Sequence, residues 1–140
     1  MSVQTVSFRA VAAIVLAHAA INLVHGLPHA VVPVPLTVWQ NAVVVGVVLA
    51  LPLAGLWLYS RGERRRGAWA ILLGGLGSAV FGTYYHFFSA TPDNVANVTG
   101  DWSMPFLLTS VGISLLAVAT AAGGWWLLGA TSRSREPGPA

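Results

Sequence analysis

The sequence predicts an all-helical (all-α) polytopic membrane protein, a four-helix transmembrane bundle with both termini in the cytoplasm. Its composition is the first indication, because 56% of the 140 residues are hydrophobic and only 8% are charged. A soluble domain of this length carries far more charge. The other two indications are four long apolar runs and the placement of every basic residue on one side of them.

The apolar runs define the spans, because a helix needs about 20 uncharged residues to cross a bilayer. The predicted spans are 8–27, 37–59, 68–88 and 104–128. They form a single domain over residues 1–130, and the polar segment 131–140 is predicted to be a disordered cytoplasmic tail. A signal peptide cleaved after Ala19 is a competing interpretation of the first run, but its apolar character continues through Val24 and favours a span.

The end of the first span bears directly on the histidines. Gly26 and Pro28 follow His25, and both residue types commonly end helices. The sequence therefore predicts that the first helix ends near His25 and that His29 lies in the loop that follows.

Arginine sets the orientation, since lysine is absent and all seven arginines fall on one side of the four-span layout: Arg9, Arg61, Arg64, Arg65, Arg66, Arg133 and Arg135. Short positively charged segments stay in the cytoplasm, so both ends are predicted to lie there in the cell membrane. This asymmetry accounts for the basic balance of the chain, and nucleic acid is not a predicted partner. The predicted partners are the lipid bilayer and other membrane subunits.

Three of the four histidines lie within "HAAINLVHGLPHA" at 18–30. On a helix, His18, Asn22, His25 and His29 would project within an arc of roughly 60°. Such side chains facing lipid would leave their polar atoms unsatisfied, which costs several kcal/mol per group. The stripe is therefore predicted to face the inside of the bundle.

The third span carries a matching face, with Gly74, Ser78, Gly82 and His86 at every fourth position. Small residues at this spacing let helices pack closely. Because the first and third spans both run outward, His25 and His86 are expected at similar depth near the outer membrane surface.

These residues predict a metal or haem site. His25 and His86, together with His29 and Asp93, would supply ligands that suit a transition metal (copper, zinc or iron), or the two spans would hold one haem. A second haem is not expected, because His18 has no histidine partner at its depth. Neighbouring polar residues are expected to orient the ligands or carry protons: His18, Asn22, Gln40, Asn41, Tyr84, Tyr85 and Asp101.

The predicted function is an accessory part of a membrane redox or metal-handling system. Two alternatives stay open: a structural or interaction protein whose polar residues only pack helices, and a proton or quinone site. The chain has no cysteine and shows no serine or threonine in a triad-like context, so nucleophilic catalysis is not predicted and an enzyme is the less favoured interpretation. Asn97 begins an "NVT" glycosylation acceptor in an outward connection.

Overall fold

Four long helices dominate the computed structural model, which describes residues 3–32 and 34–133. They are α1 (Val3–Val31), α2 (Val38–Ser60), α3 (Arg64–Phe88) and α4 (Ser103–Arg133). Each contains a stretch long and apolar enough to cross a membrane. The prediction of an all-helical chain with four membrane-length helices is confirmed.

The prediction that α1 ends near His25 is wrong. The helix continues through Gly26 and Pro28 to Val31. Proline removes one backbone hydrogen bond from a helix, and contacts made by the next turn offset that loss: the His29 ring bonds the backbone oxygen of Val34 and approaches the His25 ring. His29 therefore lies one turn beyond His25 on the same helix instead of in the loop.

Pro52 shapes α2. The helix is α-helical over Val38–Val43, widens to a π-helix over Val44–Ala50, and returns to α-helix over Leu51–Ser60. A proline ring collides with the carbonyl four residues earlier, and the wider turns immediately before Pro52 relieve that crowding.

α3 occupies the middle of the bundle and packs along α2 and α4, while α1 packs mainly on α4. Glycines make these contacts possible. A Cβ on Gly75 would overlap the backbone nitrogen of Ala121, and a Cβ on Gly74 would lie 2.7 Å from Cδ of Pro52. Because α1 lies mainly against α4, a space remains between α1, α2 and α3 near the end of the bundle that is predicted to face outward.

The outside of the bundle is apolar on every helix, with large hydrophobic side chains exposed along its length: Leu16, Leu23, Val45, Trp57, Val80, Leu115, Val118 and Trp125. Soluble monomers rarely expose continuous apolar surfaces of this kind. The surface is suited to lipid contact.

The connections differ in character. Residues 61–63 form a tight turn in which Gly62 has a φ of 93°, a conformation that favours glycine. Residues 89–99 form a longer cap that leads through the short 3₁₀ turn Gly100–Trp102 into α4. At the other end, α4 continues as far as Arg133, and the rest of the predicted tail, 134–140, lies outside the described residues.

Candidate metal centre

Three histidines and one aspartate converge at the end of the bundle where the 89–99 connection lies. They are His25 and His29 of α1, His86 of α3, and Asp93 of the connection. One nitrogen or oxygen from each lies within 4.8 Å of those from the other three. His29 is half-buried and the other three are buried. We call these four residues the His/Asp cluster.

The helical extension of α1 creates the first pair. Residues four apart lie on the same face of a helix, one turn apart, so the two imidazoles meet. Nε2 of His25 and Nε2 of His29 are 3.1 Å apart. Had the helix stopped at Gly26, this pair would not form.

A wide turn at the end of α3 carries His86. The segment Tyr84–Phe88 is π-helical, and the amide of Ser89 donates to the carbonyl of Tyr84, five residues back. Such turns are frequent at functional sites because they redirect a side chain within a continuing helix. The His86 ring contacts the His25 ring edge-on, with 4.8 Å between the centroids.

The connection after α3 folds back over the site and supplies Asp93. The backbone amide of Val95 donates to the carbonyl of His86 at 2.9 Å, and the Asn94 side chain donates to the carbonyl of Ser89 at 2.8 Å. These bonds place Oδ1 of Asp93 3.3 Å from Nε2 of His29. A buried apolar group comprising Val34, Val98 and Phe106 covers this end.

The hydrogen bond of His25 depends on its tautomer. Its Nδ1 lies 2.7 Å from Oγ1 of Thr109, and that hydroxyl lies 2.7 Å from the backbone carbonyl of Pro105. When the hydroxyl donates to the carbonyl, it accepts from His25, which places the ring proton on Nδ1 and leaves Nε2 with a lone pair. When it donates to Nδ1, the ring proton is on Nε2, which can donate to His29.

Carbonyl groups determine the tautomers of the other two neutral rings, because a carbonyl oxygen can only accept a hydrogen bond. Nδ1 of His29 donates to the Val34 carbonyl at 3.2 Å, and Nδ1 of His86 donates to the Asp93 backbone carbonyl at 3.1 Å. Nε2 of each ring is then its lone-pair nitrogen. A hydrogen bond from the far side of the ring is the arrangement that orients histidine ligands in metal sites.

With the His25 proton on Nδ1, three acceptors face one another with no donor between them: Nε2 of His25, Nε2 of His29 and Oδ1 of Asp93. Oδ1 of Asp93 is buried and has no hydrogen-bond partner, although His86 Nδ1 is 3.2 Å away, because that N–H is directed at the backbone carbonyl. Unpaired acceptors in a buried space are costly. A cation at their centre removes that cost.

Two of the separations fit such an ion, and the widest in the cluster, up to 4.8 Å, must shorten when the ion binds. Ligands at about 2.0 to 2.1 Å from a tetrahedral metal lie about 3.3 Å from one another. The observed separations are 3.1 Å between the two α1 nitrogens and 3.3 Å from His29 to Asp93. A porphyrin does not fit between His25 and His86, because their rings already touch edge to face.

His18 and Asn22 lie below the cluster, outside it. His18 is fully buried and its Nε2 is 3.0 Å from Oγ of Ser78, so the predicted stripe of α3 meets α1 here through a hydrogen bond. The two glycines of the stripe pack elsewhere, Gly74 against α2 and Gly82 near Ile113 of α4. Asn22 donates its side-chain amide to the backbone carbonyl of His18 within the same helix.

The remaining polar residues predicted to surround the site do not bond the ligands. Gln40 forms a capping box with Thr37 at the start of α2, and Asn41 donates to the carbonyls of Leu36 and Thr37. Tyr84 and Tyr85 contact each other edge to face. Asp101 is exposed in the 3₁₀ turn before α4.

Sequence reasoning missed Thr109 and Phe106, the α4 residues that hold and cover the histidines. The Phe106 ring is centred 4.8 Å from His25 and 5.5 Å from His86. The sequence did contain a signal for Thr109, because it is a polar residue in the part of the fourth span that is predicted to lie near the outer surface, at the depth of His25. It was not recognised because α1 and α4 are distant in sequence.

A cavity of about 450 Å³ adjoins the cluster. Its walls come from all four helices and the connection at 34–36, and His25, His29, His86 and Asp93 form one side of it. The opening gives an ion or small molecule a path to the ligands.

Comparison of the chain with known protein families, characterised proteins and solved structures yields no match. The function is therefore inferred from the geometry of the cluster.

Proposed function

We propose that this chain is an integral membrane protein, with both ends cytoplasmic, that binds one divalent transition-metal ion through His25, His29, His86 and Asp93 at its outer face. It would serve a membrane redox or metal-handling system, as an accessory to other membrane subunits. The observation that supports this proposal is that two imidazole Nε2 atoms and one carboxylate oxygen without a hydrogen-bond partner lie next to one another in a buried space.

The donor set defines the class of metal. Three imidazole nitrogens and one carboxylate oxygen suit zinc, copper or iron, whereas calcium and magnesium prefer sites built from oxygen alone. The single acidic group would leave the loaded site with one positive charge. Haem is not proposed, because the His25 and His86 rings leave no gap for a porphyrin.

The competing occupant is a proton. A doubly protonated His29 would donate from Nε2 to Asp93, or a His25 protonated on Nε2 would donate to His29, so that these contacts form without any metal. This is the cofactor-free alternative, in which the cluster only joins helices.

Elemental analysis of detergent-purified protein distinguishes the two. Cells are supplied with iron, copper and zinc, and wild type is compared with the double variant His25→Ala, His86→Ala. The matched control is His18→Ala, which removes a buried histidine of α1 that bonds Ser78 and lies outside the cluster.

Near-stoichiometric metal in wild type and His18→Ala, absent from the double variant, is the expected result. A wild-type protein that carries no metal, and that takes up none of the three ions on dialysis, would establish the proton-bridged network and overturn the metal proposal.

A further inference from the structure

The cavity beside the cluster has two chemically different sides. One side is the His/Asp cluster with two asparagine amides, and the other is apolar, formed by Val44, Val48, Leu49, Phe81 and Ile113. Its volume of about 450 Å³ is in the range of small-molecule sites. A metal ion alone leaves most of this space unused.

The amides present acceptors to the cavity. The Asn22 amide nitrogen donates to the His18 carbonyl, and the Asn41 amide nitrogen donates to the carbonyls of Leu36 and Thr37. Since carbonyls only accept, these assignments are forced. Asn41 uses both of its N–H groups, so what it retains for a ligand is Oδ1, a hydrogen-bond acceptor, whereas Asn22 retains Oδ1 and one N–H.

The mouth of the cavity lies between α1 and the start of α2. The exposed lining residues are Leu23, Gly26 and Ala30 of α1, Pro35 of the connection and Asn41 of α2. Leu23 is 69% exposed on the apolar outside of the bundle. A ligand that enters here comes from the surface suited to lipid.

We propose that the cavity binds the head of a membrane-dissolved amphipath that carries a hydroxyl group, with the hydroxyl oxygen as a fifth ligand of the metal and its proton directed at Oδ1 of Asn41. This inference rests on the proposed metal site. A hydroxyl satisfies both features at once, because it has lone pairs for a cation and a proton for an amide oxygen. A carbonyl oxygen or an ether oxygen has lone pairs for the cation but no proton to donate to the amide oxygen.

A larger side chain at Gly26 would narrow the mouth of the cavity and would replace none of the four proposed metal ligands. Gly26 lines the cavity, and a Cβ added there meets nothing within 4 Å. A leucine side chain at this position would extend into the opening. Gly46 is the matched control, since it is also exposed, also has nothing within 4 Å, and does not line the cavity.

The experiment uses the full chain in lipid nanodiscs, loaded with Co²⁺, whose visible spectrum reports its ligands and which hydroquinones do not reduce. The probes are decylhydroquinone, its dimethyl ether and 1-decanol. The proteins are wild type, Gly26→Leu and Gly46→Leu, and Co²⁺ stoichiometry is measured on each before any probe is added.

Decylhydroquinone is expected to shift the Co²⁺ spectrum saturably in wild type and Gly46→Leu. Gly26→Leu, loaded equally with Co²⁺, and the dimethyl ether are each expected to weaken binding at least about tenfold, because space or the donated proton is lost. An equal response to 1-decanol supports the proposal and assigns the head to a lipid alcohol; a response to the hydroquinone alone assigns it to a phenol.

Two results overturn the inference while the metal site stands: a Co²⁺-loaded wild type whose spectrum no hydroxyl probe changes, and equal binding by Gly26→Leu or by the dimethyl ether. A wild type that binds no Co²⁺ overturns the metal proposal and this inference together, and the stoichiometry measurement identifies that case separately.

Discussion

At the scale of single residues, the candidate site depends on which ring nitrogens carry protons. A Thr109 hydroxyl that accepts from His25 places the proton of that ring on Nδ1, and the Val34 carbonyl does the same for His29. Each ring is held from behind, so its Nε2 is directed at Asp93 and at the other ring. The ligands are preorganised by groups that do not themselves bind the ion.

Thr109→Val tests this preorganisation. Valine preserves the shape but cannot accept from His25 Nδ1, so we expect metal affinity to fall about 10- to 100-fold, as for other lost partners of ligating histidines. Competition with a chelator measures it. Thr120→Val is the control on the same helix, because the Thr120 hydroxyl is buried without a partner; equal loss in both variants would contradict the role given to Thr109.

At the scale of elements, glycine contacts and wide turns position the site. α3 lies against α4 because Gly75 has no side chain to collide with Ala121. The π-helical turn at Tyr84–Phe88 then carries His86 to the end of this packed helix. The continuation of α1 past Pro28 adds His29.

Gly75→Ala is expected to lower the free energy of unfolding by about 1 to 3 kcal/mol, because the added Cβ overlaps backbone that cannot move away easily. Gly129→Ala on α4 is the control, since a Cβ there meets nothing within 4 Å, and alanine favours a helix over glycine by about 1 kcal/mol. Thermal unfolding in detergent compares them, and a Gly75→Ala protein as stable as its control would refute the close packing.

At the scale of the whole molecule, the proposed orientation places the His/Asp cluster outside and the arginine turn inside. Labelling of single cysteines tests it, because the chain has no cysteine of its own. We expect an impermeant maleimide on intact cells to label Ala96→Cys and to label Glu63→Cys only after permeabilisation. The reverse pattern would place the cluster in the cytoplasm.

Metal is also expected to stabilise the whole bundle, because the ligands come from α1, α3 and the connection after α3. At a free metal concentration 100 times the Kd, the gain is about 2.7 kcal/mol. Melting of the wild type with and without metal measures it, beside the double variant His25→Ala, His86→Ala. A shift of equal size in the double variant would show that metal acts elsewhere.

Sequence alone was sufficient for the helical class and the four membrane-length helices, because apolar length and scarcity of charge are local properties. It also brought His25 and His86 together, since both spans run the same way and polar side chains must face inward. It misplaced the end of α1, where local rules for Gly26 and Pro28 were outweighed by contacts of His29 with Val34 and His25.

Only the tertiary structure revealed how Thr109 and Asp93 relate to the histidines. Thr109 meets His25 across 84 positions of sequence, and Asp93 reaches the cluster because a connection folds back through its own hydrogen bonds. Neither of these contacts produces a periodic pattern in the sequence. The sequence determined which polar side chains were expected to face inward. The packing of α1 on α4 and the fold of the cap determined which of them meet, because hydrogen-bond partners and distances arise only when distant segments are brought together.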